Sequence, residues 1–193
     1  MATRKSIGHE RVRQMLLPGR LLDAGRVREV VELADDRPAK LAELVECLWD
    51  DDRAVANRAA DALERLTRWK PGQAQKWKGE LLGLMTEAIE KKLRWNLALS
   101  IPRLKLTPTE CRQMAVTLRS YLDDNSSIVK TSALHGLADL TRQDASLLPE
   151  VLDLLRVAGR SGTPAMRARS RILLKKLEKP EKKYLGTSLH MFP

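Results

Sequence analysis

The chain has 193 residues, 43% of them apolar and 4% aromatic, and carries a formal net charge of +10. That apolar share supports one folded domain of ordinary size and excludes disorder of the whole chain, while an apolar content dominated by Leu and Ala favours helix packing over a sandwich or barrel. No segment approaches the roughly 20 apolar residues of a membrane span, and the opening MATRKSIGHERVRQ has no signal-like apolar run, so no membrane association and a cytoplasmic location are expected.

In chain order, residues 1–36 read as N-terminal capping helices, because Leu22, Val30 and Leu33 make only a partial copy of the pattern that follows. That pattern is a repeat. Val55, Leu93, Val129 and Met166 open four copies, separated by 38, 36 and 37 residues, a period typical of units built from two helices. Leucine stands eleven residues before each opening position (Leu44, Leu82, Leu118, Leu155). Leu63, Ile101, Leu137 and Leu174 stand eight after, and Leu66, Leu104, Leu140 and Leu177 eleven after. The units span about 37–70, 71–106, 107–143 and 144–179, each with apolar residues at three- and four-residue intervals on two successive helices.

Asp52, Glu90, Ser126 and Thr163 precede the second helices. Three of them can cap free amides, Glu90 being a poor cap, and Thr163-Pro164 is a strong start signal. Pro102 falls where it would end or kink the second helix of the second unit, and 159–162, Gly-Arg-Ser-Gly, reads as the turn before Thr163. Cys47 and Cys111 lie beside helical apolar residues and read as buried, reduced core thiols. After Lys179-Pro180 the repeat stops, and 180–193 reads as a tail bearing Leu189, Met191 and Phe192.

The stretch Val55-Ala56-Asn57-Arg58-Ala59-Ala60-Asp61-Ala62-Leu63 resembles the second helix of the HEAT repeat, an armadillo-type α-solenoid family, with looser copies at Leu93-Arg94, Val129-Lys130 and Met166-Arg167. The resemblance covers about residues 38–179. It implies an all-α, right-handed superhelix of four helix pairs behind the N-terminal cap, and a concave binding face formed by the second helices. It also implies that Arg94, Lys130 and Arg167 pair with turn acids of neighbouring units; Ala56 departs from that place.

Helical geometry sets the positions two, six, nine and thirteen after each opening residue opposite the core columns. In the first unit these are Asn57, Asp61, Glu64 and Arg68, a wet surface. The second unit offers Trp95, Leu99, Pro102 and Leu106, an apolar stripe of the kind that marks docking sites. Thr131, His135, Ala138 and Arg142 follow in the third unit, then Ala168, Ile172, Lys175 and Lys179 in the fourth. The first expectation is therefore a non-catalytic scaffold binding another protein, or a second copy of itself, through Trp95, Leu99, Pro102, Thr131, His135, Ala168 and Ile172.

The alternative is a nucleic-acid-binding solenoid using Arg103, Lys105, Arg142, Arg169, Arg171, Lys175 and Lys176, since the positive charge concentrates in the second and fourth units. A helical-repeat family of DNA glycosylases pairs tryptophans with a catalytic acid. Here Trp49, Trp69, Trp77 and Trp95 are followed four residues on by Arg53, Gln73, Leu81 and Leu99, which leaves base excision a weak third reading. His9, His135 and His190 have no metal-like spacing, and no Gly-rich phosphate loop is present. No catalytic residue, metal or cofactor is expected.

Overall fold

A computed structural model describes residues 11–17 and 26–178. The described residues form helices and the turns between them, and none is in a strand. The helices are α1 (Val12–Leu16), α2 (Val27–Asp36), α3 (Pro38–Glu46), α4 (Arg53–Trp69), α5 (Lys78–Glu87), α6 (Lys91–Ser100), α7 (Pro108–Ser120), α8 (Ser127–Leu140), α9 (Leu148–Ser161) and α10 (Pro164–Leu177). Short 3-10 turns fill several of the gaps, among them Pro71–Trp77 and Ile101–Arg103. Leu22 and the tail at 180–193 lie outside the described residues. Among those described, no helix is long and apolar enough to cross a membrane.

Local sequence explains most of the boundaries. Proline occupies the first turn of α3, α7, α9 and α10, where a missing amide costs nothing because that amide has no partner inside the helix. Asp52 accepts from the Ala54 amide at 2.8 Å, and Thr163 accepts from the Met166 amide at 3.3 Å. At α7, Thr107 and Glu110 cap each other reciprocally. Ser126 makes no side-chain cap; Asp124 instead accepts its backbone amide at 2.7 Å. The segment 159–161 is helical, not a turn, because α9 runs through to Ser161 and only Gly162 breaks it. Helix α6 ends just before Pro102, as its position dictates.

Each first helix packs on its own second helix: α3 on α4, α5 on α6, α7 on α8 and α9 on α10. The second helices form a row, α2 against α4, α4 against α6, α6 against α8 and α8 against α10, and α1 packs beside α2, α3 and α4. The repeating columns are the interior of this row. Leu44, Val55, Leu63, Ile101, Leu118, Val129, Leu140 and Leu155 are fully buried, whereas Met166, Leu174 and Leu177 on α10 are half-buried and pack against the core from its edge. Burial of each such side chain contributes about 1.5–3 kcal/mol. Cys47 and Cys111 are buried and free, and burial pushes the Cys47 thiol up to about 11.

Polar contacts tie the units at both ends of the row. At the turns inside the units, Arg94 bonds Asp124 of the next unit at 2.7 Å, Arg53 reaches Glu90 at 2.9 Å, and the hydroxyls of Ser127 and Thr163 meet at 2.6 Å. Arg94 thus makes the inter-unit pairing that the resemblance implies. Arg167 instead donates to the Gly162 carbonyl of its own turn at 2.7 Å. At the loops between units, Lys70 and Gln73 both bond Asp35, and Gln75 and Gln143 bond the backbone of the segment after α6.

Where α8 crosses α6 the two backbones approach closely at Gly136. A Cβ on Gly136 would lie 2.5 Å from the Ala98 carbonyl oxygen and 3.1 Å from Leu118. Gly136→Ala would gain about 1 kcal/mol of helix propensity, but a backbone oxygen in a packed helix cannot move aside, and overpacking costs about 1–3 kcal/mol. The steric cost wins. The substituted protein should unfold at a lower urea concentration, by a margin equivalent to about 1 kcal/mol, the mid-range steric cost less the propensity gain, in a chemical denaturation followed by circular dichroism.

Candidate functional site

The C-terminal ends of α4, α6, α8 and α10 converge on one cleft of about 530 Å³. Its cations are Arg68 from the last turn of α4, Arg103 and Lys105 from the segment after α6, Arg142 just beyond α8, and Lys176 from the last turn of α10. Pro102, His135, Asp139 and Gln143 complete the principal lining.

The floor of the cleft is an ion cluster. Glu64 on α4 is buried, with its side chain 4% exposed. Its Oε1 accepts from Arg103 Nη2 at 2.8 Å, its Oε2 from Arg68 Nη2 at 2.6 Å, and its backbone carbonyl from Arg103 Nη1 at 2.9 Å. One carboxylate therefore serves two guanidinium groups. Asp139 lies 3.6 Å from His135 Nε2 and 3.7 Å from Lys176 Nζ. Two acids balance part of the charge and leave the cleft positive.

The wall carrying Arg103 and Lys105 is held rigidly by two glutamines. Gln75 exchanges bonds with the Lys105 backbone, donating to its carbonyl and accepting its amide, each at 2.9 Å. Gln143 donates to the carbonyls of Pro102 at 2.8 Å and Leu104 at 2.9 Å, and accepts the Leu106 amide at 2.9 Å. A loop clamped from both sides presents its side chains at fixed places. Lys105 and Arg142 are exposed, and neither makes a side-chain ion pair among the described residues. Helix-end carbonyls carry roughly half a negative charge and favour cations in the last turn without any ligand. That effect accounts for Arg68 and Lys176; it does not reach Lys105, which sits in the loop.

His135 reports the field of the cleft. Its imidazole is held below the ordinary 6.5, first by burial and then by Arg169, Lys176 and Arg103, with Asp139 opposing them.

Of the cations expected from the sequence, Arg103, Lys105, Arg142 and Lys176 line the cleft, and Arg169 lies close enough to act on His135. Arg171 and Lys175 are exposed on α10 and do not line it. The expected apolar stripe is not an open patch. Trp95 and Leu106 pack against the core, Leu99 is half-buried, and Pro102 is buried. Thr131 is half-buried and donates to the Ser127 carbonyl at 2.7 Å, whereas Ala168 and Ile172 are exposed.

Glu64 and Ala138 were expected to face outward and are buried. A second helix in this row is covered by its own first helix and by a second helix on each side, so its buried arc is wider than the core columns alone imply. The position nine after each opening residue falls on the flank that meets the next unit. Arg68 went unremarked as a site residue, although it shares the column of Arg142. The roles of Gln75, Gln143 and Glu64 had no sequence signal, since each bonds a residue 30 or more positions away in the chain.

No family model matches the chain, and no curated protein matches it. The crystal structure of an engineered protein is similar, with a TM-score of 0.59 and 14% identity over 86% of this chain and 78% of that one. At that identity the likeness concerns the fold alone.

Two measurements check the electrostatics. Glu64→Ala removes the shared partner of Arg103, whose side chain is only 18% exposed and cannot relax freely into water. The loss should be about 3 kcal/mol in denaturant unfolding, as for an unbalanced buried charge. His135 gives a pH signature. With its folded pKa depressed, the unfolded chain takes up a proton first as pH falls through 6.5, so the stability that neutral His135 contributes is present above that value and is lost below it. Between about pH 7.5 and about pH 5.5, either side of the ordinary imidazole value, the wild-type urea midpoint should fall further than that of His135→Gln.

Proposed function

We propose that this protein is a non-catalytic, HEAT-like α-solenoid whose cation cleft binds the phosphate backbone of nucleic acid. The register of four units, the row of second helices and the inter-unit pair of Arg94 with Asp124 support the solenoid reading. In a right-handed superhelix of such pairs the second helices line the inner face, and the cleft lies at their C-terminal ends.

The observation that carries the ligand reading is the pair of exposed cations, Lys105 and Arg142, without ion-pair partners among the described residues, set beside Arg68, Arg103 and Lys176 in one cleft. A surface with that surplus attracts polyanions and releases their counterions on contact. Among the described residues no triad of nucleophile, base and orienting acid lines it, and Asp139 is engaged with His135 and Lys176. A protein partner is the second reading. It is favoured by Ile172, 60% exposed on α10, with Ala168 exposed on the same helix.

The test is a fluorescence anisotropy titration of labelled DNA at about 50 and about 200 mM salt, the range over which phosphate-driven binding falls steeply. Binding should weaken sharply at the higher salt. Lys105→Ala combined with Arg142→Ala should lower affinity and flatten the logarithmic salt slope by about 1.4 for a single strand, or about 1.8 for a duplex, as expected for two lost phosphate contacts. Absence of binding at the lower salt would overturn the reading and direct attention to the α10 surface.

A further inference from the structure

The described residues include one large aromatic with almost no packing. Trp69, the last residue of α4, is 82% exposed. Trp77 and Trp95 both pack against the core and Trp49 is 47% exposed, so Trp69 is the most exposed of the four tryptophans. Its exposure is also not that of a loose end. Lys70 caps the helix through its amide to the Leu66 carbonyl at 2.9 Å, its Nζ holds Asp35 of α2 at 2.7 Å, and Gln73 bonds the same aspartate. The backbone on both sides of Trp69 is anchored, and the indole is displayed to solvent.

Its neighbour in sequence is Arg68, which lines the cation cleft. Successive residues on a helix differ by about 100° in direction and about 1.5 Å in height. Arg68 bonds Glu64 and lines the cleft, so Trp69 leaves the same turn about 100° around the helix from a cleft cation. An indole at the rim of a charged cleft joins the two elements from which sequence-tolerant single-strand binding is built. The cations track phosphates, and an aromatic face receives a base. A duplex could use only the first element, because its bases are already stacked on one another.

Resting on the cleft reading above, we propose that the ligand is single-stranded nucleic acid, with its phosphates along Arg142, Lys105 and Arg68 and one unpaired base stacked on Trp69. The strand crosses the end of α4 from the cleft to the rim. Because the contact is to a ring face, it reads the presence of a base and not its identity.

The experiment compares four probes of equal length on the full chain at about 50 and about 200 mM salt, the range over which phosphate contacts weaken. These are labelled oligothymidylate, the same phosphodiester chain carrying abasic sugars, a duplex, and polyglutamate as a polyanion without phosphate. Wild type, Trp69→Phe and Trp69→Ala are titrated, each first shown to unfold at the same denaturant concentration, as an 82% exposed side chain allows. Expected is oligothymidylate binding tighter than the abasic chain and the duplex. It should weaken roughly fivefold or more in Trp69→Ala, recover substantially in Trp69→Phe, and keep its salt slope in both. Oligothymidylate should also quench wild-type tryptophan fluorescence, with most of that quenching lost in Trp69→Phe.

If oligothymidylate binds with steep salt dependence but Trp69→Ala changes nothing, the stacking proposal is overturned while the phosphate reading stands. Equal loss on the abasic chain, or duplex binding as tight as the single strand, would also overturn it. Should only polyglutamate bind, or none of the probes, both readings fail together.

Discussion

No helix pair in this chain can bury its own apolar stripe, and the structure depends on each pair lending one flank to the next. The second helices carry that exchange. Leu97 and Ala98 on α6, and Leu134 and Leu137 on α8, are almost fully buried, and they are covered from both sides because α6 packs on α4 and α8, and α8 on α6 and α10. Gly136 is a tight point of the exchange, where the backbone of α6 occupies the space of a missing Cβ. The end of the row shows the same rule by its exception: Met166, Leu174 and Leu177 on α10 are only half-buried, with α8 on one side and no further second helix among the described residues.

Polar contacts do a different job. Apolar stripes are non-directional and would tolerate sliding of one unit over the next. Arg94 with Asp124 and Arg53 with Glu90 fix the turns inside units, while Gln75 and Gln143 fix the loops between them. Each of these bonds joins residues at least 30 positions apart in the chain. They convert a stack into a register, and the register sets which helix ends come together.

The cleft is a product of that register. Arg68, Arg103, Arg142 and Lys176 belong to four different units and meet only because the second helices end at the same level. Glu64 supplies a buried counter-charge that two guanidinium groups share, so the cations are close without a carboxylate for each. The imidazole of His135 is held down first by burial and then by Arg169, Lys176 and Arg103, with Asp139 opposing them. Trp69, displayed at the rim by an anchored helix end, adds an apolar face to a surface otherwise made of charge.

The sequence by itself determined the helical units, their core columns, the caps at Asp52 and Thr163, and the segments in which positive charge accumulates. Those properties follow from spacing along one helix, which a linear sequence carries directly. It also named Arg103, Lys105, Arg142 and Lys176. What it did not carry was their convergence, the burial of Glu64, Pro102 and Ala138, or the closure of the Trp95 stripe against the core. Each of these depends on contacts between residues a full unit apart, where a second helix is enclosed on three sides instead of one. Helical periodicity states which side of a helix is apolar; only the packed neighbours decide how far around the helix burial extends, and which charged ends they leave facing one another.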